Sequence, residues 1–373
     1  MKVDEFILEY WLNPRDPLCK YNLGASCVKA FSVEELIEFI GGDIDEFLDT
    51  IKKMSLHYGF FAGSPRLLEA ISKQYKDVTP DMILTVHGGT GANNLVVTEL
   101  LEPGDNAVSF MPTYQQHYSD PEALGIEIRK FHLDSENGYL PDIEKLKEMV
   151  DENTKMIIMT NPNNPSGAFI GEQMLRDICN IASEVDAYVL ADEIYRGLSD
   201  DYMYSVVDIY DKGIVTCSTS KVFSMAGTRV GWIVAKDKET HDRLFNRRSY
   251  DTICDGVFDE YISALALEHY EKILERSKSI VRESRKILDE WLLTQPKLHS
   301  DYQSYSTTAI IKYDYPMSNY DFCNRIYEDV GVLLCHGDCF ELEKSFRLGY
   351  GFGDPQKFKE ALEVLGDYLK TLE

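Results

Sequence analysis

No apolar run in this chain of 373 residues is long enough to cross a bilayer. Positive charge is also scarce: 38 Lys and Arg stand against 63 Asp and Glu, a formal net charge of -25. That balance repels nucleic acid and anionic membrane, so the sequence predicts neither as a partner. Internal repeats, low-complexity tracts and linkers rich in Pro, Gly or Ser are missing, which removes solenoid and disordered classes. The opening Met1-Lys2-Val3-Asp4-Glu5-Phe6 is acidic and lacks the apolar core of a signal peptide. Regular cysteine spacing is absent too. Cys19, Cys27, Cys179, Cys217, Cys254, Cys323, Cys335 and Cys339 are scattered, which predicts reduced thiols in a cytoplasmic protein rather than a disulfide framework. Cys335-His336-Gly337-Asp338-Cys339 offers too few correctly spaced soft ligands for a closed zinc site and reads as a turn.

What remains is ordinary globular material: 44% hydrophobic and 12% aromatic residues, and a length that predicts roughly two domains. Residues 1 to about 45 are mixed, with Ser32 a plausible N-cap for a helix at Val33-Glu34-Glu35-Leu36-Ile37. Apolar strand candidates follow at Met82–Val86, Asn106–Phe110, Ile126–His132, Lys155–Thr160, Ala187–Ala191, Gly213–Cys217 and Val230–Ala235. Helical stretches separate most of them, notably Gly91–Leu101, Asp142–Val150 and Glu172–Glu184. Alternation of this kind, with near-continuous apolar strands, predicts an α/β fold around a mostly parallel, helix-covered sheet of seven strands. Two long helices, roughly Asp255–Tyr270 and Ile273–Leu293, precede a terminal stretch that reads strand, helix, strand, strand, helix. The expected division is a large domain over residues 46–272 and a smaller α+β domain formed by residues 1–45 with 273–373. In such sheets reacting groups collect at the carboxyl ends of the strands.

The stretch Ser218-Thr219-Ser220-Lys221, followed eight residues later by Arg229, carries the most chemistry. A lysine at a strand end among small hydroxyls and an arginine makes sense if it reacts with a carbonyl while its neighbours hold a phosphate. That combination suggests a pyridoxal phosphate Schiff base. His87-Gly88-Gly89-Thr90-Gly91-Ala92, between strand and helix, lets backbone N–H groups approach an anion at a helix N-terminus. It lacks the lysine of a nucleotide P-loop and the spacing of a dinucleotide fingerprint, so a small monophosphate fits better. Asn161-Pro162-Asn163-Asn164-Pro165 makes a rigid loop at another strand end, where an asparagine could donate to a phenolate oxygen. Asp192, in Asp192-Glu193-Ile194-Tyr195, ends a strongly apolar strand and needs a partner there. Paired with a pyridine nitrogen it would keep the ring an electron sink, and Tyr195 could reach the same phenolate oxygen.

In order and spacing these motifs, from Tyr58 to Arg347, resemble the class I/II pyridoxal-phosphate-dependent aminotransferases of fold type I. The resemblance implies that Lys221 is the Schiff-base lysine and proton shuttle and that Asp192 pairs with the pyridine nitrogen. Asn164 and Tyr195 would contact the phenolic oxygen. Gly89, Thr90, Ser218, Ser220 and Arg229 would cradle the phosphate, and Tyr114 would stack on the ring. Tyr58 would cross a dimer interface to the partner's phosphate. Arg347, in Phe346-Arg347-Leu348-Gly349, would clamp the substrate α-carboxylate in bidentate fashion. Tyr21, Gly24 and His117 fall where the family often builds its substrate pocket. Arg247 and Arg248 suit either recognition of an acidic side chain or a solvated helix end, and the solvated end is the expectation. Where family members commonly carry Leu-Arg, this chain has Arg66-Leu67, a change expected to affect local packing only. Tyr10-Trp11-Leu12-Asn13 and Tyr21-Asn22-Leu23-Gly24 are similar to an atypical subgroup that includes capreomycidine synthase, where the scaffold performs a β-replacement with ring closure.

The implied activity is transfer of an amino group between an L-amino acid and a 2-oxo acid by a homodimer. A lyase, a β-replacement or cyclising enzyme and a decarboxylase remain open, because these branches differ in substrate orientation rather than in the cofactor-holding residues. A degenerate scaffold serving as a regulatory module is disfavoured, since the lysine, the aspartate and both arginines are present.

Overall fold

The structure is a computed structural model that describes residues 2–300 and 304–372. A two-residue strand, β1 (Tyr21–Asn22), precedes β2 (Ile83–His87), β3 (Asn106–Met111), β4 (Glu127–His132), β5 (Thr154–Thr160), β6 (Tyr188–Asp192), β7 (Gly213–Ser218) and β8 (Val230–Ala235). The last seven form one sheet in the order β2-β8-β7-β6-β5-β3-β4. Strand β8 runs antiparallel to both neighbours, and the other pairs are parallel. All seven strands fall within a residue or so of the segments expected from apolar runs.

The reason those runs become strands lies in their two faces. Ile157 and Met159 of β5 join one core with Val189, Ala191, Val215 and Trp232, while Met156 and Ile158 join another with Leu190, Ile214 and Ile233. Successive side chains point to opposite sides of a sheet, so burial on both sides requires apolar residues at every position. Strand β4 breaks the rule because it is an edge. Glu127, Arg129 and Lys130 keep it partly exposed, and charges on an edge discourage further strand pairing.

Residues Thr160, Asp192 and Thr216 lie side by side in register, so the loops after β5, β6 and β7 leave the sheet at one edge. The helix Gly88–Leu100 starts directly at the end of β2, without the turn expected before Gly91. Gly88 has a left-handed φ of 70°, and a Cβ on Gly231 of β8 would lie 2.4 Å from the Gly88 carbonyl carbon. Only glycine at both positions lets the helix start this close to the sheet.

A second, antiparallel sheet of four strands has the order β12-β13-β10-β9, from β9 (Leu298–His299), β10 (Thr308–Tyr313), β12 (Cys335–His336) and β13 (Ser345–Gly349). Between them β11 (Val332–Leu333) pairs in parallel with β1, tying the N-terminal segment to the C-terminal part. Helices Tyr270–Leu292 and Pro355–Leu369 cover this sheet over a separate core that includes Trp11, Leu23, Val281, Phe322 and Phe346. The expected pair of late strands is observed, its first member divided into β11 and β12.

Ser32 caps its helix in both directions: its Oγ accepts from Glu35 N at 3.1 Å, and its own N–H donates to Glu35 Oε2 at 2.7 Å. The helix expected at Asp255–Tyr270 is shorter, Val257–Leu267, because Asp255 turns inward before it. Arg248 corrects the expectation of a solvated helix end. It is 1% exposed, pairs with Asp255 at 3.2 Å and donates to the carbonyls of Phe61 and Ile253. Its five fixed donors suit it to stitch a buried loop, whereas Arg247 stays half-exposed beside Asp251. Among the described residues no group of three His, Cys, Asp or Glu side chains could hold a metal, and the segment expected as a turn is strand β12 followed by a 3-10 helix, Gly337–Phe340. No helix among the described residues is long and apolar enough to cross a membrane.

Candidate active site

A cavity of about 430 Å³ opens where the carboxyl edge of the seven-stranded sheet meets the second sheet and the N-terminal segment. Lys221, Asp192, Tyr195, Gly89, Thr90, Tyr114, Asn164, Ser220, Arg229 and Arg347 all line it, although they span more than two hundred positions of sequence. Topology explains the convergence: β5, β6 and β7 deliver Asn164, Asp192 and Lys221, while β13 brings Arg347 from the other sheet.

Asp192 forms a buried floor, 6% exposed. Its Oδ2 accepts from Asn93 Nδ2 at 3.0 Å and lies 3.5 Å from His117 Nε2, and its Oδ1 accepts from the Ile194 N–H at 3.2 Å. Asn93 in turn accepts from Thr216 Oγ1 at 2.6 Å, and His117 Nδ1 meets Thr113 Oγ1 at 3.0 Å. A carboxylate buried at a strand end is tolerable only with such donors, and the network fixes its direction into the cavity. His117, expected near the substrate pocket, stands behind Asp192 and does not line the cavity. Asn93 escaped the reading because one asparagine in a buried helix carries no periodic signal.

Lys221 is half-buried, and its Nζ donates to Ser26 Oγ at 2.9 Å with Cys27 Sγ at 3.7 Å. Burial works against its charge, but the Cys27 thiol and the Tyr195 phenol outweigh burial and Arg347 and hold its pKa above the ordinary lysine value. Arg347 is 2% exposed. One terminal nitrogen donates to Asn164 Oδ1 at 3.0 Å, the other to the Gly24 carbonyl at 2.6 Å, and Nε has no partner among the described residues. Gly24 therefore steadies Arg347 through its backbone and does not itself line the cavity. Tyr21 is taken up in β1 and also lies off the cavity wall. Of the loop asparagines, Asn161 bonds twice to Ile170, and Asn163 holds Pro112 and Ser166. These two lock the loop, which leaves Asn164 facing the cavity.

At the far end the N-terminus of the helix Gly88–Leu100 points at the space between Gly89, Thr90, Ser220 and Arg229. Ser218 lies just behind, fully buried, its Oγ accepting from the Ser220 N–H at 3.2 Å. A Cβ on Gly88 would sit 2.5 Å from an Arg229 guanidinium nitrogen, so the backbone and the cation share one small space. Free N–H groups, hydroxyls and a guanidinium around a helix N-terminus suit a phosphate monoester. Tyr114 donates to Glu9 Oε1 at 3.1 Å, and its pKa is pushed far up by burial and by that carboxylate. Tyr58 lies apart from the cavity and is 65% exposed, in a groove with Phe60, Val257 and Tyr261. Leu8, Glu9, Leu12, Asn13, Asp16 and Cys27 also line the cavity; Leu12 and Asn13 belong to the stretch noted for its subgroup similarity, whereas Leu8, Glu9, Asp16 and Cys27 sit where no strand pattern or motif spacing marked a pocket.

A mostly parallel sheet with a strand-end lysine, a buried aspartate and an arginine beside a helix N-terminus is the arrangement of a pyridoxal phosphate protein of fold type I, and comparison with known proteins gives that family and fold. Residues 44–365 match the family described as aminotransferase class I and II, and the chain belongs to that family, whose members depend on pyridoxal phosphate. A crystal structure of a pyridoxal-phosphate-dependent aminotransferase from Streptococcus suis is 38% identical, covers 100% of this chain and 99% of its own, and superposes with a TM-score of 0.97. Capreomycidine synthase from Streptomyces vinaceus is 24% identical over 98% of this chain and 93% of its own length. An aspartate aminotransferase from Pyrococcus horikoshii is 30% identical over 64% of each.

Proposed function

We propose that this protein is a homodimeric aminotransferase that moves an amino group between an L-amino acid and a 2-oxo acid. The carrying observation is the meeting, in one cavity, of the Lys221 amine, the Asp192 carboxylate and the buried Arg347 guanidinium with an unpartnered Nε. When bound, pyridoxal phosphate supplies a carbonyl that takes up amines and a ring that accepts the electrons of the broken Cα–H bond. Lys221 would be the amine that holds this carbonyl, and its Nζ would hold and return the proton taken from the substrate Cα. Asp192, held by Asn93 and the Ile194 N–H, would keep the pyridine nitrogen protonated. Asn164 and Tyr195 would contact the phenolic oxygen, Tyr114 would cover the ring, and Gly89, Thr90, Ser218, Ser220 and Arg229 would hold the phosphate. Arg347 orients the substrate carboxylate, with Asn164 and Gly24 keeping its plane fixed.

The division into a large domain, residues 46–272, and a small one, residues 1–45 with 273–373, belongs to the same proposal, although Leu36 and Ile273 of the small-domain segments pack into the large core. Leu56, Tyr58, Phe60, Phe61, Tyr250, Ile253 and Phe258 are exposed large apolar side chains from two stretches of that domain. A second copy of the chain would cover them and receive Tyr58 at its phosphate. A cytoplasmic location rests on the cysteines, all eight of them free thiols.

The test is an absorbance spectrum of the cofactor-loaded protein before and after single amino acids. Lasting conversion of the visible band to that of the aminated cofactor, with the matching 2-oxo acid released, is expected. The similarity to capreomycidine synthase favours one rival, a lyase or β-replacement reaction. That rival would restore the original band while releasing ammonia or a β-substituent.

A further inference from the structure

Part of the cavity wall not taken up by the cofactor-facing groups comes from the N-terminal helix Ile7–Leu12 and the turns after it, which contribute Leu8, Glu9, Leu12, Asn13 and, at the exposed rim, Asp16. Its charged groups are both carboxylates. One Glu9 oxygen is held by Tyr114 and one Asp16 oxygen by Asn22 Nδ2 at 2.5 Å. The second oxygen of each has no hydrogen-bond donor among the described residues, and neither carboxylate has an ion-pair partner there. Every cation that lines the cavity has another place: Lys221 at the reacting carbon, Arg229 at the phosphate end, Arg347 beside Asn164. Arg347, nearly fully buried with a free Nε, marks the end where a substrate carboxylate docks. The side chain of an amino acid held there would share the cavity with Leu8, Leu12 and the two carboxylates.

We infer that the amino donor has a cationic side chain, an alkyl chain ending in an ammonium or guanidinium group that lies along Leu8 and Leu12 and is received by Glu9 and Asp16. This rests on the reading of the cavity as an amino-acid site. An apolar stem along leucines and a charge-assisted hydrogen bond at its end is how such side chains are ordinarily bound. A dicarboxylic donor would set like charges together in a half-closed space, with no basic residue of this chain on that wall to receive it.

The experiment titrates the cofactor-loaded protein with L-arginine, L-citrulline, L-lysine, L-norleucine and L-aspartate. It reads the dissociation constant from the shift of the visible band and, separately, the rate of amino transfer. Citrulline keeps the length of arginine and loses the charge, and norleucine keeps the four-carbon stem of lysine without its ammonium. The expected result is at least about tenfold tighter binding of a cationic amino acid than of its neutral isostere, and weaker binding of aspartate. In E9Q and D16N the ratio of cationic to neutral binding should fall to within about threefold. Aspartate binding tightest, or a ratio unmoved by either substitution, would overturn the inference. If cationic amino acids bind selectively but no amino group is transferred, the aminotransferase reading fails and the binding inference stands. If aspartate binds tightest and is transaminated, the outcome is reversed. Should a variant fail to load cofactor, the wild-type ratios decide alone.

Discussion

Lys221 finds its partners in Ser26 and Cys27, 195 and 194 residues earlier in the chain, and the Asp192 floor depends on Asn93, 99 residues earlier. At this scale the consequences are direct. In K221A, borohydride treatment should fix no cofactor to the protein, and amino transfer should drop by about a thousandfold or more. Persistence of the wild-type rate would end the enzymatic assignment. In N93A, the buried Asp192 loses a donor whose hydrogen bond to a charged group is worth about 1.5–3 kcal/mol. Turnover should fall roughly tenfold to a hundredfold, and dialysis should strip cofactor faster than from the wild type. The lysine and the aspartate were legible because each ends an apolar strand, where a charged residue is out of place. Asn93 and Ser26 were not, since their importance comes only from what stands opposite them.

The element that aims the cradle is the helix Gly88–Leu100, and its start depends on the contact between Gly88 and Gly231 of β8. A methyl group at position 231 has backbone on its far side, which cannot yield as a flexible side chain would. G231A should therefore lower the free energy of unfolding by about 3 kcal/mol, read by denaturant titration, and should weaken cofactor affinity because the helix N-terminus is displaced. Unchanged affinity with unchanged stability would show that the helix can shift at little cost. The glycine-rich turn was visible in the sequence as an anion site. That its first glycine is already helical, with a second glycine from β8 behind it, was not, because the pairing of β2 with β8 links residues nearly 150 positions apart.

Across the molecule, charge and exposed apolar surface govern behaviour. Glu260 is 3% exposed, and burial, with Asp255 beside it, pushes its pKa up to about 7. Folding thus favours its protonated form. The stability it contributes is complete below its unfolded value near 4.5 and is lost as pH rises through about 7. E260Q keeps the acceptor for the Ser64 N–H and the Thr85 hydroxyl while removing the charge. Its stability relative to wild type should therefore improve between pH 5 and pH 8 by about 2–3 kcal/mol, measured by calorimetry at both pH values. A difference independent of pH would count against the assignment. The apolar group around Tyr58 calls for a second copy, so sedimentation should find a dimer. Y58F should load cofactor less tightly without changing that mass, whereas a fully active monomer would remove the shared-site proposal.

The sequence by itself determined the alternation of strands and helices, the strand boundaries, and the order of groups suited to pyridoxal phosphate. These are local properties, written in apolar periodicity, turn chemistry and charged residues at strand ends. Only the tertiary structure decided that Arg248 is buried and Arg247 is not, that Gly24 serves Arg347, and that Tyr58 stands outside the cavity of its own chain. It alone brought Glu9 and Asp16 into the same cavity as Arg347. Those outcomes depend on which distant segments share an edge of a sheet, and neither propensity nor spacing along the chain encodes such proximity.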